Sequence, residues 1–278
     1  MKINIVCSDK GWIYSQFLKA LQTYSSNTIL LNSKDSCDLT YCIPYYEWVN
    51  SIKHPYCAWM SHQEHRKDLY DKFLDVGKSA DVAISHSKKY ADLLKNAGAQ
   101  NVVQIVPGVD LSAYQLRGTH RAQSNKLIVG YIGRQYVSSN RKNPALIDKI
   151  RKLPFVELKV SGGKVKAKDL PQFYAQCDLI ISPSFIEGGA MCLLEGLAVG
   201  VPVVCFEGVG MAQEFDAGVI KTPFADDTKY IERIYSFYKT EEYLQYREQD
   251  TMNKMREQVK DFTWENFSKK HDEVWGNI

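Results

Sequence analysis

The sequence predicts an α/β protein of two domains, each a parallel sheet with helices on both faces. Three observations carry this. Short apolar runs of strand length alternate with longer segments of helical apolar spacing. The alternation comes in two series. Between them, near 112–125, lies a polar stretch with no apolar period, Leu116-Arg117-Gly118-Thr119-His120-Arg121-Ala122-Gln123-Ser124-Asn125. A chain of 278 residues has room for two such domains and for a real core in each.

The elements follow in order. Ile3–Cys7 alternates like a buried strand, and Tyr14–Tyr24 has helical spacing. Strand-like runs come next at Thr28–Leu31, Leu39–Ile43, Tyr56–Met60, Asp81–Ser85 and Val102–Val106, with a helical pattern at Lys88–Ala97. The second series has strands at Leu127–Ile132, Val156–Val160, Leu179–Ser182, Val201–Phe206 and Gly218–Lys221, with helices at Pro144–Lys152 and Leu170–Gln176. Strand–helix alternation of this kind makes parallel, Rossmann-like sheets. The acidic segment 228–278 reads as helical, and Thr263 is placed to cap the last helix. The expected boundaries are 1–115 for the first domain and 116–260 for the second. A C-terminal helix over 261–278 is in a position to cross back to the first domain.

Composition narrows the function. The net charge is +3, which excludes a histone-like binder of nucleic acid. The charge is unevenly spread: residues 116–170 hold 13 Lys and Arg against 3 Asp and Glu, and residues 207–278 hold 10 against 15. A basic stretch inside a near-neutral chain points to an anionic ligand. The seven cysteines, an odd number without a Cys-x-x-Cys pair, suggest neither a disulfide framework nor a zinc site and fit a reducing cytoplasm. No apolar run approaches the roughly 20 residues of a membrane span, and the N-terminus lacks a signal-peptide pattern.

The strongest motif is Ser182-Pro183-Ser184-Phe185-Ile186-Glu187-Gly188-Gly189-Ala190, running through Glu195 to Gly200-Val201-Pro202. It follows a strand and opens a helix. Gly188 and Gly189 allow a ligand close to backbone N–H groups at that helix start, where the dipole favours an anion such as a diphosphate. Glu195 lies eight residues after Glu187, so about two helical turns would place both carboxylates on one side.

This text resembles the signature of glycosyltransferase family 4 (group 1), enzymes of the GT-B fold, in which two Rossmann-like domains face a central cleft. Glu187 and Glu195 match the two family glutamates, and Gly200-Val201-Pro202 matches the turn that follows. Gly189 and Ala190 stand where the family has Phe and Gly. Gly133-Arg134 and Arg141-Lys142-Asn143 resemble the family's Gly-Arg…Lys-Gly element, with Asn143 in place of Gly and Arg141 as the alternative to Lys142. Gly208-Val209-Gly210-Met211-Ala212-Gln213-Glu214 resembles the family's Gly-Gly-x-x-Glu loop. Val106-Pro107-Gly108-Val109-Asp110 resembles the element closing the first domain. Gly11 falls in the loop after the first strand, and His62, after Tyr56–Met60, resembles the family's active-site His.

The resemblance implies a retaining, metal-independent glycosyltransferase that uses a nucleotide-diphosphate sugar, a UDP-sugar being expected, as co-substrate and no cofactor. The donor would be bound by Gly11, Arg134, Lys142, Ser184, Gly188, Gly189 and Glu195. Glu187, Arg134, Lys142 and His62 would serve catalysis. Tyr45, Trp48 and Trp59 belong to an aromatic-rich stretch able to stack on an acceptor. Two acceptors stay open: a hydroxylated (hydroxymethyl) base flipped out of double-stranded DNA, which the surplus basic charge favours, and a saccharide. A nucleotide-sugar epimerase of the same fold, or a non-catalytic sugar-nucleotide-binding subunit, would share the donor motifs.

Overall fold

The computed structural model describes residues 1–8, 11–61, 67–121, 124–133 and 140–278. It divides into two compact units, Met1–Gly108 with Phe262–Ile278, and Val109–Asp261.

The first unit runs β1 (Lys2–Val6), α1 (Trp12–Tyr24), β2 (Thr28–Leu31), β3 (Leu39–Cys42), β4 (Tyr56–Met60), α2 (Lys67–Ser79), β5 (Val82–Ser85), α3 (Lys88–Asn96) and β6 (Val102–Gln104). The strands form one parallel sheet in the order β2-β1-β3-β4-β5-β6. Central strands of a parallel sheet are covered on both faces, so β4 and β5 are buried at every position. One face packs on α1 and the C-terminal helix, around Phe17, Trp59, Phe267 and Trp275. The other packs on α2 and α3, around Tyr45, Phe73, Tyr90 and Leu94.

The second unit runs β7 (Leu127–Tyr131), α4 (Pro144–Arg151), β8 (Val156–Val160), α5 (Leu170–Ala175), β9 (Leu179–Ser182), α6 (Met191–Val199), β10 (Val203–Phe206), β11 (Val219–Thr222), α7 (Asp227–Lys239), α8 (Glu242–Gln245) and α9 (Gln249–Glu257). Its parallel sheet has the order β11-β10-β9-β7-β8. The strand order reverses direction at β7, so β7 and β9, consecutive in neither sequence nor crossover, diverge at a switch point where such sheets bind ligands.

The last helix, α10 (Trp264–Trp275), is capped as its sequence suggests: Thr263 Oγ1 accepts from the Asn266 N–H at 3.1 Å. Asp272 on α10 fastens it to the turn after α1, accepting from the Ser26 N–H at 2.7 Å and from Asn27 Nδ2 at 2.9 Å. Its His271 is fully buried, and burial pushes the imidazole down to about 4, so the ring is neutral. A carbonyl only accepts, so Nδ1–H donates to Phe267 O at 2.8 Å and Nε2 accepts from the Tyr41 hydroxyl at 2.9 Å. Gly108 passes so close to α10 that a Cβ there would stand 2.4 Å from the Trp264 nitrogen, which requires glycine.

The boundary between units falls after Gly108 instead of after 115. Residues 109–117 belong to the second unit because their polar groups are spent there: the Arg117 N–H donates to Val199 O at 2.9 Å, and the Tyr114 hydroxyl donates to Glu195 at 2.9 Å. The buried carboxylate of Asp178, just before β9, anchors the same region. It accepts from Arg121 and Arg247 side chains and from the Ile128 N–H, each within 3.2 Å.

Candidate functional site

The site is built at the carboxyl ends of β7 and β9, before α4 and α6. β9 delivers Ser182, Pro183 and Ser184 into a loop that reaches α6 at Met191. Helix α6 is apolar apart from Glu195 and buried from Cys192 to Val199, so its start is fixed by the core behind it. It ends at Gly200 in the left-handed region (φ 78°), where a helix terminates without steric cost only at glycine or asparagine.

Glu187 lies in the loop, 7% exposed. Its carboxylate accepts from Lys142 Nζ, from Arg141 Nη1 at 3.3 Å and from the Ser184 hydroxyl. Burial by itself would raise this carboxyl; Lys142 and Arg141 overcome that and hold it at about 2. The two cations come from the short turn Asn140–Lys142 before α4. Asn143, standing where the resembled family has glycine, is left-handed (φ 48°) and caps α4 by accepting from the Leu146 N–H at 3.2 Å. Asparagine tolerates that backbone and adds a cap, so the replacement keeps the turn. Gly210, also left-handed, brings its loop against Glu187; a Cβ there would stand 3.1 Å from the Glu187 Cβ. The Gly208–Glu214 motif and the Glu187 motif therefore meet in space. Gly188 is buried and Gly189 half-buried, both directly ahead of α6.

Glu195 differs from its expected placement. Glu187 precedes the helix, so helical spacing does not relate the two carboxylates. Glu195 points into the α5–α6 packing, 3% exposed, where its oxygens accept from the Tyr114 hydroxyl at 2.9 Å and the Tyr174 hydroxyl at 2.5 Å. Burial pushes this carboxyl up to about 7, against the opposing pull of the two hydroxyls. Tyr174 falls in the helical pattern Leu170–Gln176 and Tyr114 in no pattern, and nothing local marks either as a partner of Glu195.

In the first unit, Gly11 directly precedes α1 with an extended backbone. The assignment of Tyr45 and Trp59 to an acceptor surface is corrected: both are fully buried. Trp59 packs edge-on to Phe17 at 4.9 Å and beside His271, and Tyr45 packs on Phe73 at 5.3 Å. Tyr41, Tyr56 and Trp59 lie on the adjacent buried strands β3 and β4, whose doubly covered positions demand large apolar side chains, and Tyr45 lies in the short turn Tyr45–Glu47 between them. Trp48 is half-buried, leaning on Tyr56. Arg134 and His62 lie outside the described residues.

The basic stretch also acquires a partial account. Among the described residues, Arg117 and Arg121 serve the Asp178 region, Arg141 and Lys142 hold Glu187, Lys149 pairs with Asp227, Arg151 with Asp148, and Lys159 bonds Gln176. Among the described residues, no group of His, Cys, Asp and Glu is disposed to hold a metal ion, and no helix is long and apolar enough to cross a membrane.

Residues 128–260 match the family model of group 1 glycosyl transferases. That stretch, just under half of the chain, lies within the second unit and is similar to group 1 glycosyl transferases. The matched stretch contains Glu187, Arg141, Lys142, Glu195 and the Gly208–Glu214 loop. A curated relative, O-antigen chain mannosyltransferase B of Escherichia coli, is 33% identical over 105 residues, which are 37% of this chain and 26% of the relative. The match thus spans about a quarter of that protein's length. The whole chain is similar in fold to HepE of Anabaena, solved with UDP-glucose (TM-score 0.78, 14% identity, all of both chains), and to sucrose-phosphate synthase of Thermosynechococcus elongatus (TM-score 0.75, 14% identity, 100% of this chain and 98% of the other). At such identity the likeness concerns the fold, and it is the GT-B fold.

Proposed function

We propose that the chain is a retaining, metal-independent glycosyltransferase that moves a sugar from a UDP-sugar to a saccharide hydroxyl. The observation that carries this is the buried Glu187 carboxylate held by Arg141, Lys142 and Ser184 ahead of α6, inside the stretch matched by the family. Cations fixed beside a helix start suit a diphosphate leaving group, whose charge grows in the transition state. Glu187 would accept from a hydroxyl of the transferred sugar, while Arg134 and Lys142 balance the departing diphosphate. The anomeric C–O bond to the phosphate breaks, the acceptor oxygen bonds the same face of that carbon, and the departing phosphate oxygen takes the acceptor proton. Glu195 would serve the ribose, Gly188 and Gly189 the phosphates, and Gly11 and His62 the sugar side of the reaction. Free cysteines agree with work in a reducing cytoplasm.

The similarity to an O-antigen mannosyltransferase supports a saccharide acceptor, and the solved UDP-glucose complex of a fold relative supports the donor. A DNA acceptor rested on surplus basic charge, and at least seven of the thirteen cations have partners within the chain. The test is incubation with a panel of UDP-sugars, with and without oligosaccharide acceptors and hydroxymethylated duplex DNA. UDP release that requires a saccharide is expected. Release that requires DNA would move the acceptor to nucleic acid, and an isomerised donor without acceptor would make the protein an epimerase.

A further inference from the structure

The two cations on Glu187 are attached differently. Arg141 is tied into the loop it serves: its carbonyl accepts from the Phe185 N–H at 2.9 Å, and its Nη1 donates to Ile186 O at 3.1 Å as well as to Glu187 at 3.3 Å. Two of those three bonds involve backbone and do not depend on the carboxylate. Moving the guanidinium would strand a carbonyl in a site where the Arg141 side chain is only 13% exposed. Lys142 has no such tether. Its ammonium donates to Glu187 and has no second side-chain or carbonyl partner among the described residues. An ammonium on a four-carbon stem reorients readily, whereas a guanidinium fork is committed to its geometry.

A diphosphate entering ahead of α6 needs a cation that can turn toward it. Resting on the reading of this site as a sugar-nucleotide site, we propose that Lys142 exchanges partners on donor binding, from Glu187 to the diphosphate, while Arg141 stays as the positioning residue of Glu187. The exchange frees one Glu187 oxygen at the moment the diphosphate is bound. That oxygen then accepts from a hydroxyl of the attached sugar, so sugar recognition is conditional on the diphosphate being in place. In the empty site Glu187 competes with the diphosphate for Lys142, a contact that each binding event must break.

The competition gives a signed test with UDP as the probe, measured by calorimetry. Glu187→Gln removes the competing charge and should bind UDP about fivefold more tightly than wild type. The same substitution in a Lys142→Met background should give no tightening beyond about twofold, because the exchanged partner is gone. Tightening of equal size in both backgrounds would reduce the effect to simple charge repulsion and overturn the exchange, as would weaker UDP binding by Glu187→Gln. Arg141→Ala should keep UDP affinity within about twofold while lowering kcat about a hundredfold, with partial rescue of kcat by Arg141→Lys. Loss of UDP binding by a folded Arg141→Ala would place Arg141 on the diphosphate and overturn its assigned role. Wild-type protein that binds no UDP would bring down the donor reading and the exchange together; wild-type binding without the predicted Glu187→Gln effect brings down the exchange alone.

Discussion

Glu187 and Glu195 are the same residue type, eight positions apart and almost equally buried, at 7% and 3% exposure, yet their carboxyls are driven in opposite directions, to about 2 and about 7. The difference is the partner. Glu187 faces two cations, which more than repay its desolvation; Glu195 faces two hydroxyls, which stabilise its charge only in part. Burial alone therefore does not set the state of a carboxylate. At neutral pH Glu187 is a fixed anion with its charge already balanced, and Glu195 is poised near its own midpoint inside a tyrosine bracket.

The largest way to break this contrast is to remove Glu187. Glu187→Ala leaves Arg141 and Lys142 buried without an anion and should cost about 3–5 kcal/mol of stability in denaturant unfolding. On the proposed reading, in which Glu187 accepts from the transferred sugar, it should also lower sugar transfer about 10²–10³-fold, measured as UDP release with donor and acceptor. Glu187→Gln keeps the loop filled and should show the activity loss with a much smaller stability loss.

Titration sharpens the contrast because the two groups pull stability in opposite senses. The Glu187 carboxyl lies below its usual 4.5 in the folded protein, so its contribution is present above pH 4.5 and is lost as pH falls toward 2. The Glu195 carboxyl lies above 4.5, so the folded state holds its proton longer than the unfolded state. Its penalty is absent below pH 4.5, grows as pH rises, and is complete above about 7. Unfolding free energies measured between pH 4.5 and 7.5 should fall for wild type relative to Glu195→Gln. Parallel curves for the two proteins would mean that Glu195 ionises normally.

Tyr174→Phe tests the bracket itself. It leaves Glu195 Oε2 buried without its donor and should cost about 1–3 kcal/mol, with the Glu195 carboxyl moving further up. The smallest expected effect is Gly210→Ala. Alanine in the left-handed region costs about 1–2 kcal/mol, and the new methyl would press on the Glu187 Cβ from 3.1 Å. A modest fall in melting temperature with a larger fall in transfer rate would show that this loop sets the position of Glu187.

How far pattern carries can be seen residue by residue. The strands were legible because a doubly covered parallel strand leaves no choice but a continuous apolar run, as in Leu179–Ser182 and Val203–Phe206. Thr263 was legible as a cap because capping is local, decided within three residues. The Glu187 loop was legible because its residues are contiguous and their chemistry is specific. Tyr45 and Trp59 were misassigned for the opposite reason: an aromatic that packs a core and one that stacks on a ligand look the same in a sequence, and only the neighbours Phe73, Phe17 and His271 tell them apart.

By itself, then, the sequence determined the two-sheet α/β class, the capping of the last helix and the residues gathered before α6, all of them governed by forces acting over a few positions. Which carboxylate is charged, which cation is tethered and where the first unit ends were decided by tertiary structure. Tyr114 reaches Glu195 across 81 residues, Arg141 reaches Glu187 across 46, and Asp272 reaches Ser26 across 246. Electrostatics in a buried site depends on distance in space, and no local pattern encodes that distance.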